Sequence, residues 1–140
     1  MTAGHSYRAL LIGVALVSTA CASDCARSGC VSGVFISGSL TASLGSYRSN
    51  ICVNNACNSA TLNATAGKLD LNVISPLPPD TKIGDRVEIR YTVTESDGTV
   101  VFSSIQTTKV ARVQGGCSEP DCAVVALQVD GDDLSILAVR

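Results

Sequence analysis

The chain has 140 residues, ten Lys and Arg against twelve Asp and Glu, and no basic cluster, which argues against a nucleic-acid partner held through phosphates. It contains one histidine, His5, seven cysteines and only 4% aromatic residues. A core must therefore be built from Val, Ile, Leu and Ala with covalent help, and beyond His5 no imidazole exists for a Ser-His-Asp or Cys-His site.

Residues 1 to 8 carry Arg8 and His5, no acid precedes Asp24, and an apolar run follows from Ala9 to Val17. A helix over those nine residues rises about 14 Å at ~1.5 Å each, against a hydrocarbon core roughly 30 Å thick. The pattern predicts an export signal over 1–20, not a spanning helix, and no later stretch is long and apolar enough to span. Val17-Ser18-Thr19-Ala20-Cys21 resembles the lipobox of bacterial lipoproteins. That resemblance implies that the Cys21 thiol takes a diacylglyceryl group and becomes an acylated N-terminus. Several acyl chains would anchor it stably in the membrane, at ~0.8 kcal/mol per buried methylene. The alternative is plain secretion with cleavage after Ala22, for which Ala20 and Ala22 supply the small residues. Lipidation consumes Cys21 and plain cleavage discards it, so both leave an even number of cysteines. Residues 21–30 read as a short anchor segment, and 31–140 as one domain.

Those remaining cysteines form three pairs of one spacing, each enclosing four residues: Cys25 and Cys30, Cys52 and Cys57, Cys117 and Cys122. About fifteen connectivities are open to six cysteines, and sequence alone does not choose among them. Spacing favours neighbours, so the expected bonds are Cys25–Cys30, Cys52–Cys57 and Cys117–Cys122. Asn54-Asn55 suits a two-residue type I′ turn, which places Cys52 opposite Cys57 at a non-hydrogen-bonded position with Cα atoms ~4.5 Å apart. The other two pairs read as stapled loops, each such bond contributing ~2 kcal/mol in the chain-entropy model. Zinc would need four N or S ligands converging, and a thioredoxin-like site would need two intervening residues. Structural disulfides in an oxidising compartment are the expectation.

Strands are predicted along the rest of the chain. Over Arg86 to Thr94, Val87, Ile89, Tyr91 and Val93 fall on one face and polar residues on the other, a period of two. Leu69, Leu71 and Val73 alternate likewise from Lys68 to Val73, as do Ala123, Val125, Leu127 and Val129, and then Leu134, Ile136 and Ala138. Weaker candidates are Val31 to Ser37, Tyr47 to Val53, Ala56 to Asn63, Thr99 to Ser104 and Ile105 to Val113. Asp97-Gly98 and Asp130-Gly131 mark hairpin turns, and Pro76, Pro78 and Pro79 mark a crossover or edge. Helix-free strands at this spacing indicate an all-β antiparallel sandwich, with a small Greek-key barrel as the competing fold. Ile83-Gly84-Asp85, the alternating strand and Asp97-Gly98 together resemble bacterial immunoglobulin-like and fibronectin-like modules, which implies sandwich architecture.

Candidate chemistry is sparse. Asp130, Asp132 and Asp133 around Gly131 form the densest acidic cluster, a weak calcium candidate whose ordinary reading is a solvated turn. Tyr47 with Arg48 is a candidate ligand contact. No P-loop, dinucleotide fingerprint or zinc-protease helix occurs. The expectation is a non-enzymatic, exported envelope lipoprotein with no cofactor, a membrane contact through its lipid, and an envelope protein or glycan as partner. The alternatives are a secreted inhibitor presenting the Cys117–Cys122 loop and a glycan-binding accessory module.

Overall fold

The computed structural model describes residues 30–115 and 120–137. Expectations for the export signal and for Cys21, Cys25 and Cys117 fall outside those residues. Two compact units are found: one includes Cys30 and Gln114–Cys122, the other Val31–Val113 and Ala123–Arg140. In the first, the Gly115 amide donates to Asp121 Oδ1 at 3.3 Å.

The strands are β1 (Gly33–Thr41), β2 (Gly45–Val53), β3 (Ala56–Ala64), β4 (Lys68–Ser75), β5 (Arg86–Glu95), β6 (Val100–Lys109), β7 (Ala111–Val113), β8 (Cys122–Asp130) and β9 (Asp133–Ile136). One sheet runs β4-β1-β8-β7, with β9 also pairing β8; the other runs β3-β2-β5-β6. These two sheets pack as a sandwich and do not close into a barrel, so the competing barrel fold is set aside. Among the described residues no helix is long and apolar enough to cross a membrane.

Alternation explains the layers. Strands β4 and β5 bury every second residue, placing Leu69, Leu71, Val73, Val87, Ile89, Tyr91 and Val93 inward. They meet Val34 and Ile36 of β1, Ile51 and Val53 of β2, and Val125, Leu127 and Val129 of β8 in one apolar cluster. Burial of a branched aliphatic side chain contributes about 1.5–3 kcal/mol, so this cluster is the main source of cohesion. Pairing is antiparallel between β1 and β4, β2 and β3, β2 and β5, β5 and β6, and β8 and β9. Strands β1 and β8 instead run parallel, from Gly33 opposite Val124 to Gly38 opposite Val129.

Three expectations are corrected. The stretch divided at Ser104–Ile105 is one strand, β6, and the break falls after Lys109. There Val110 is buried, its amide donates to Asp85 O at 2.8 Å, and its carbonyl accepts from the Gly84 amide at 2.9 Å. The chain turns at Val110 because those bonds take it out of the β5–β6 ladder.

The type I′ turn is also elsewhere. Asn54 has φ 54° but Asn55 has no positive φ. The Asn54 amide donates to Glu88 O at 2.8 Å and its Oδ1 accepts from the Glu88 amide at 3.1 Å, so β5 sets this turn's shape. Ala66 and Gly67 instead take positive φ, 53° and 76°, between Thr65 and Lys68, whose backbones exchange two 3.0 Å bonds. Glycine suits the second position; alanine at the first is held there by the hairpin.

The third correction concerns the disulfides. Cys52–Cys57 is present, with Cα atoms 4.0 Å apart across the β2–β3 hairpin. Cys30, however, bonds Cys122 across 92 residues, with Cα atoms 6.0 Å apart. Neither Cys25–Cys30 nor Cys117–Cys122 can then exist. The cause is topological: Cys30 lies three positions before β1 and Cys122 opens β8, and β1 and β8 are parallel neighbours that begin together. Beside that start, the Ala123 amide donates to Ser32 Oγ at 3.0 Å.

One core feature predicts a pH dependence. Tyr91 is 0% exposed, and neither its hydroxyl nor Ser49 Oγ, also buried, has a hydrogen-bond partner. Burial pushes the Tyr91 phenol from its ordinary 10.0 up to about 12; the nearby Ser49 hydroxyl pulls slightly the other way, without reaching bonding geometry. Because the folded pKa is raised, this stabilisation is fully present below pH 10 and is lost as pH rises to about 12. At ~1.36 kcal/mol per unit, the raised pKa corresponds to on the order of 3 kcal/mol. Urea unfolding of Tyr91→Phe is expected to show roughly 1 kcal/mol more stability at pH 7, from loss of an unpaired buried hydroxyl. The variant should also lack the parent's decline across that alkaline window.

Candidate functional site

A polar surface hollow lies where β2 begins. Tyr47 is 4% exposed, and its hydroxyl donates to Ser43 O at 2.8 Å, drawing the β1–β2 loop over the ring. That loop is tied again where the Ala42 amide donates to Gly67 O at 3.0 Å. Glu95 stands opposite Tyr47 on β5, and Arg48 lies between Thr61 of β3 and Thr94 of β5.

The β5–β6 turn closes the other side. Its Glu95 amide donates to Thr99 O at 2.8 Å, and the Gly98 amide returns a bond to Glu95 O at 3.0 Å. The Thr99 amide donates to Asp97 Oδ1 at 2.9 Å, and this bond leads the causes that hold the Asp97 carboxyl below its ordinary range. Two adjoining hollows result, about 280 and 370 Å³, sharing Ser46, Tyr47, Glu95 and Ser96. Hydroxyls, one guanidinium and carboxylates on strand-held backbone can fix a polar ligand through hydrogen bonds. Tyr47 was legible as a candidate with Arg48. Glu95 and Thr61 were not, because only strand pairing brings them alongside.

A second surface is the free edge of β3. The register runs from Val53 opposite Ala56 to Gly45 opposite Ala64 without a shift. Beyond a two-residue turn the pairs alternate, so Ala56, Asn58, Ala60 and Leu62 exchange bonds with β2. The amides and carbonyls of Cys57, Ser59, Thr61 and Asn63 therefore point away from the sheet. Among the described residues no hydrogen bond occupies these groups. Most of the strand is exposed on both faces.

The acidic cluster is not assembled. Asp130 pairs Asp133 across the β8–β9 turn, and all three aspartates are exposed. Among the described residues no three His, Cys, Asp or Glu side chains are grouped to hold a metal ion. In the region of the expected inhibitor loop, Pro120 and Asp121 are exposed. Cys122 at its end is bonded to Cys30, so the staple on which that alternative rested is not formed.

Fold and surface together define a disulfide-stapled, two-sheet β protein with an open polar hollow, and the two disulfides among the described residues point to an oxidising, exported setting. Comparison with known families, curated proteins and solved structures yields no match for the chain.

Proposed function

We propose that the protein is an exported lipoprotein of the bacterial cell envelope, held to the membrane by lipid on Cys21, that works by binding and not by catalysis. The observation that carries the binding half is the hydroxyl-rich hollow around Tyr47, Arg48, Thr61 and Thr94 on hydrogen-bonded strands. Rigid strands bearing short polar side chains suit recognition, since little side-chain freedom is lost when a ligand is held. The motif Val17 to Cys21 and the two disulfides support the exported, anchored half. Of the possible partners, a glycan is favoured by the hydroxyl lining of the same hollow.

Palmitate labelling of the full chain in a bacterial host tests the anchor. The wild type is expected to take label and partition with membranes, and Cys21→Ser to lose both. An unlabelled wild type whose mature chain starts at Ser23 overturns the anchor. Pull-down on purified peptidoglycan tests the binding half: Arg48→Ala should be retained less than wild type, and absence of retention for both removes the glycan.

A further inference from the structure

The β3 edge breaks a rule that the other outer strands of the sandwich follow. A long, regular, uncharged edge is a template for another strand, and proteins blunt such edges with charge, bulges or shortness. Strand β4 carries Lys68 and Asp70. Strand β6 ends at Lys109 and is bulged, since Val93 pairs Phe102 but Thr94 pairs Val100, leaving Val101 over. Strand β9 has four residues and β7 three. Strand β3 has nine residues, none charged, no proline and no bulge. No charge occurs anywhere from Asn54 to Gly67.

We propose that β3 is a homodimer interface, pairing antiparallel with β3 of a second copy about a two-fold axis at Ala60. The outward groups fix the register. Cys57, Ser59, Thr61 and Asn63 are centred on Ala60, so one alignment places Ser59 opposite Thr61 of the other copy and Cys57 opposite Asn63. All four residues of each copy then exchange bonds, and the β3-β2-β5-β6 sheet becomes an eight-stranded one, four from each copy. Ala60 faces its own symmetry mate at a non-hydrogen-bonded position, where Cα atoms lie ~4.5 Å apart. Small side chains let the edges approach, and the absence of charge means that no like pair is opposed across the axis. A self-match of this kind fits a second copy better than an unrelated strand, whose side chains would have to match a neutral, nearly featureless edge.

The test is analytical ultracentrifugation of the full chain in detergent, with a non-reducing gel of Ala60→Cys. The expected results are a reversible dimer and, for the variant, a covalent dimer that Leu62→Cys does not give, because position 62 faces 58 of the other copy. Ser59→Pro removes an outward amide while sparing the β2 ladder. It should weaken the dimer about 25-fold, two donors at about fivefold each, with the monomer still folded by circular dichroism. A strictly monomeric wild type overturns the interface. So does a covalent Ala60→Cys dimer unaffected by Ser59→Pro, or crosslinking only to a different protein.

Discussion

The double variant Cys30→Ala/Cys122→Ala should lose about 4.6 kcal/mol of unfolding free energy, against about 2 for Cys52→Ala/Cys57→Ala. The asymmetry follows from chain entropy. A bond across 92 residues removes far more of the unfolded ensemble than one across 5. It also acts where the topology is most demanding. The parallel partners β1 and β8 have most of the chain between them, so bringing their starts together is the largest loop closure in the sandwich. A covalent tie at Cys30 and Cys122 is in place before that search in every refolding from the oxidised state. Urea unfolding of both double variants beside the parent measures the ordering. Equal losses would count against the long bond; neighbour pairing would instead break two short loops in the first variant, a loss of about 4 kcal/mol, and is told apart by peptide mapping.

Gly38→Ala is the second substitution expected to have a large effect. A Cβ at this position would lie 2.5 Å from Val129 O and 3.2 Å from Val129 N, both backbone atoms of β8. Gly38 also has φ +127°, which L side chains rarely adopt. Overpacking of about 1–3 kcal/mol and backbone strain of about 1–2 act together, and neither relaxes without separating two hydrogen-bonded strands. A loss of roughly 2–5 kcal/mol is expected. Gly67→Ala is the matched control: φ is +76° but nothing lies within 4 Å of the added carbon, so only the strain of about 1–2 kcal/mol remains. If thermal unfolding shows the two variants equally affected, the close approach of β1 to β8 is not what requires glycine at 38.

The strands most legible in the sequence are those whose neighbours cover one face only. In β4 and β5 burial alternates and the buried residues are apolar apart from Ser75, so period two reports the layer directly. Strand β6 hides its nature because its sides are mixed: Phe102 is buried, yet Val101 and Ile105 are exposed and Ser104 and Gln106 lie toward the interior. Turn chemistry was a weaker guide than tertiary bonding. Asn54-Asn55 has the side chains of a type I′ turn but follows its bonds to Glu88, whereas Ala66-Gly67, with no such signal at Ala66, takes the conformation. Cys52–Cys57 was readable because its partner is set by one hairpin. Cys30–Cys122 was not, because a parallel pairing leaves no local trace at either cysteine. The hollow follows the same logic. Tyr47 and Arg48 are adjacent in sequence, while Thr61, Thr94 and Glu95 arrive through the registers of β3 and β5.

The long bond underlies the sandwich, and mapping of non-reduced tryptic peptides tests it most directly. Cys30 is released on Ser28–Arg48, Cys52 and Cys57 together on Ser49–Lys68, and Cys122 on Val113–Arg140. A second cut before Asp121 separates Cys122 from Cys117. The expected result is Ser28–Arg48 joined to the fragment that begins at Asp121, and Ser49–Lys68 closed on itself. Recovery of Ser28–Arg48 joined only to the peptide bearing Cys25, with Cys117 and Cys122 bridged to each other, would contradict the pairing and the parallel β1–β8 start it secures.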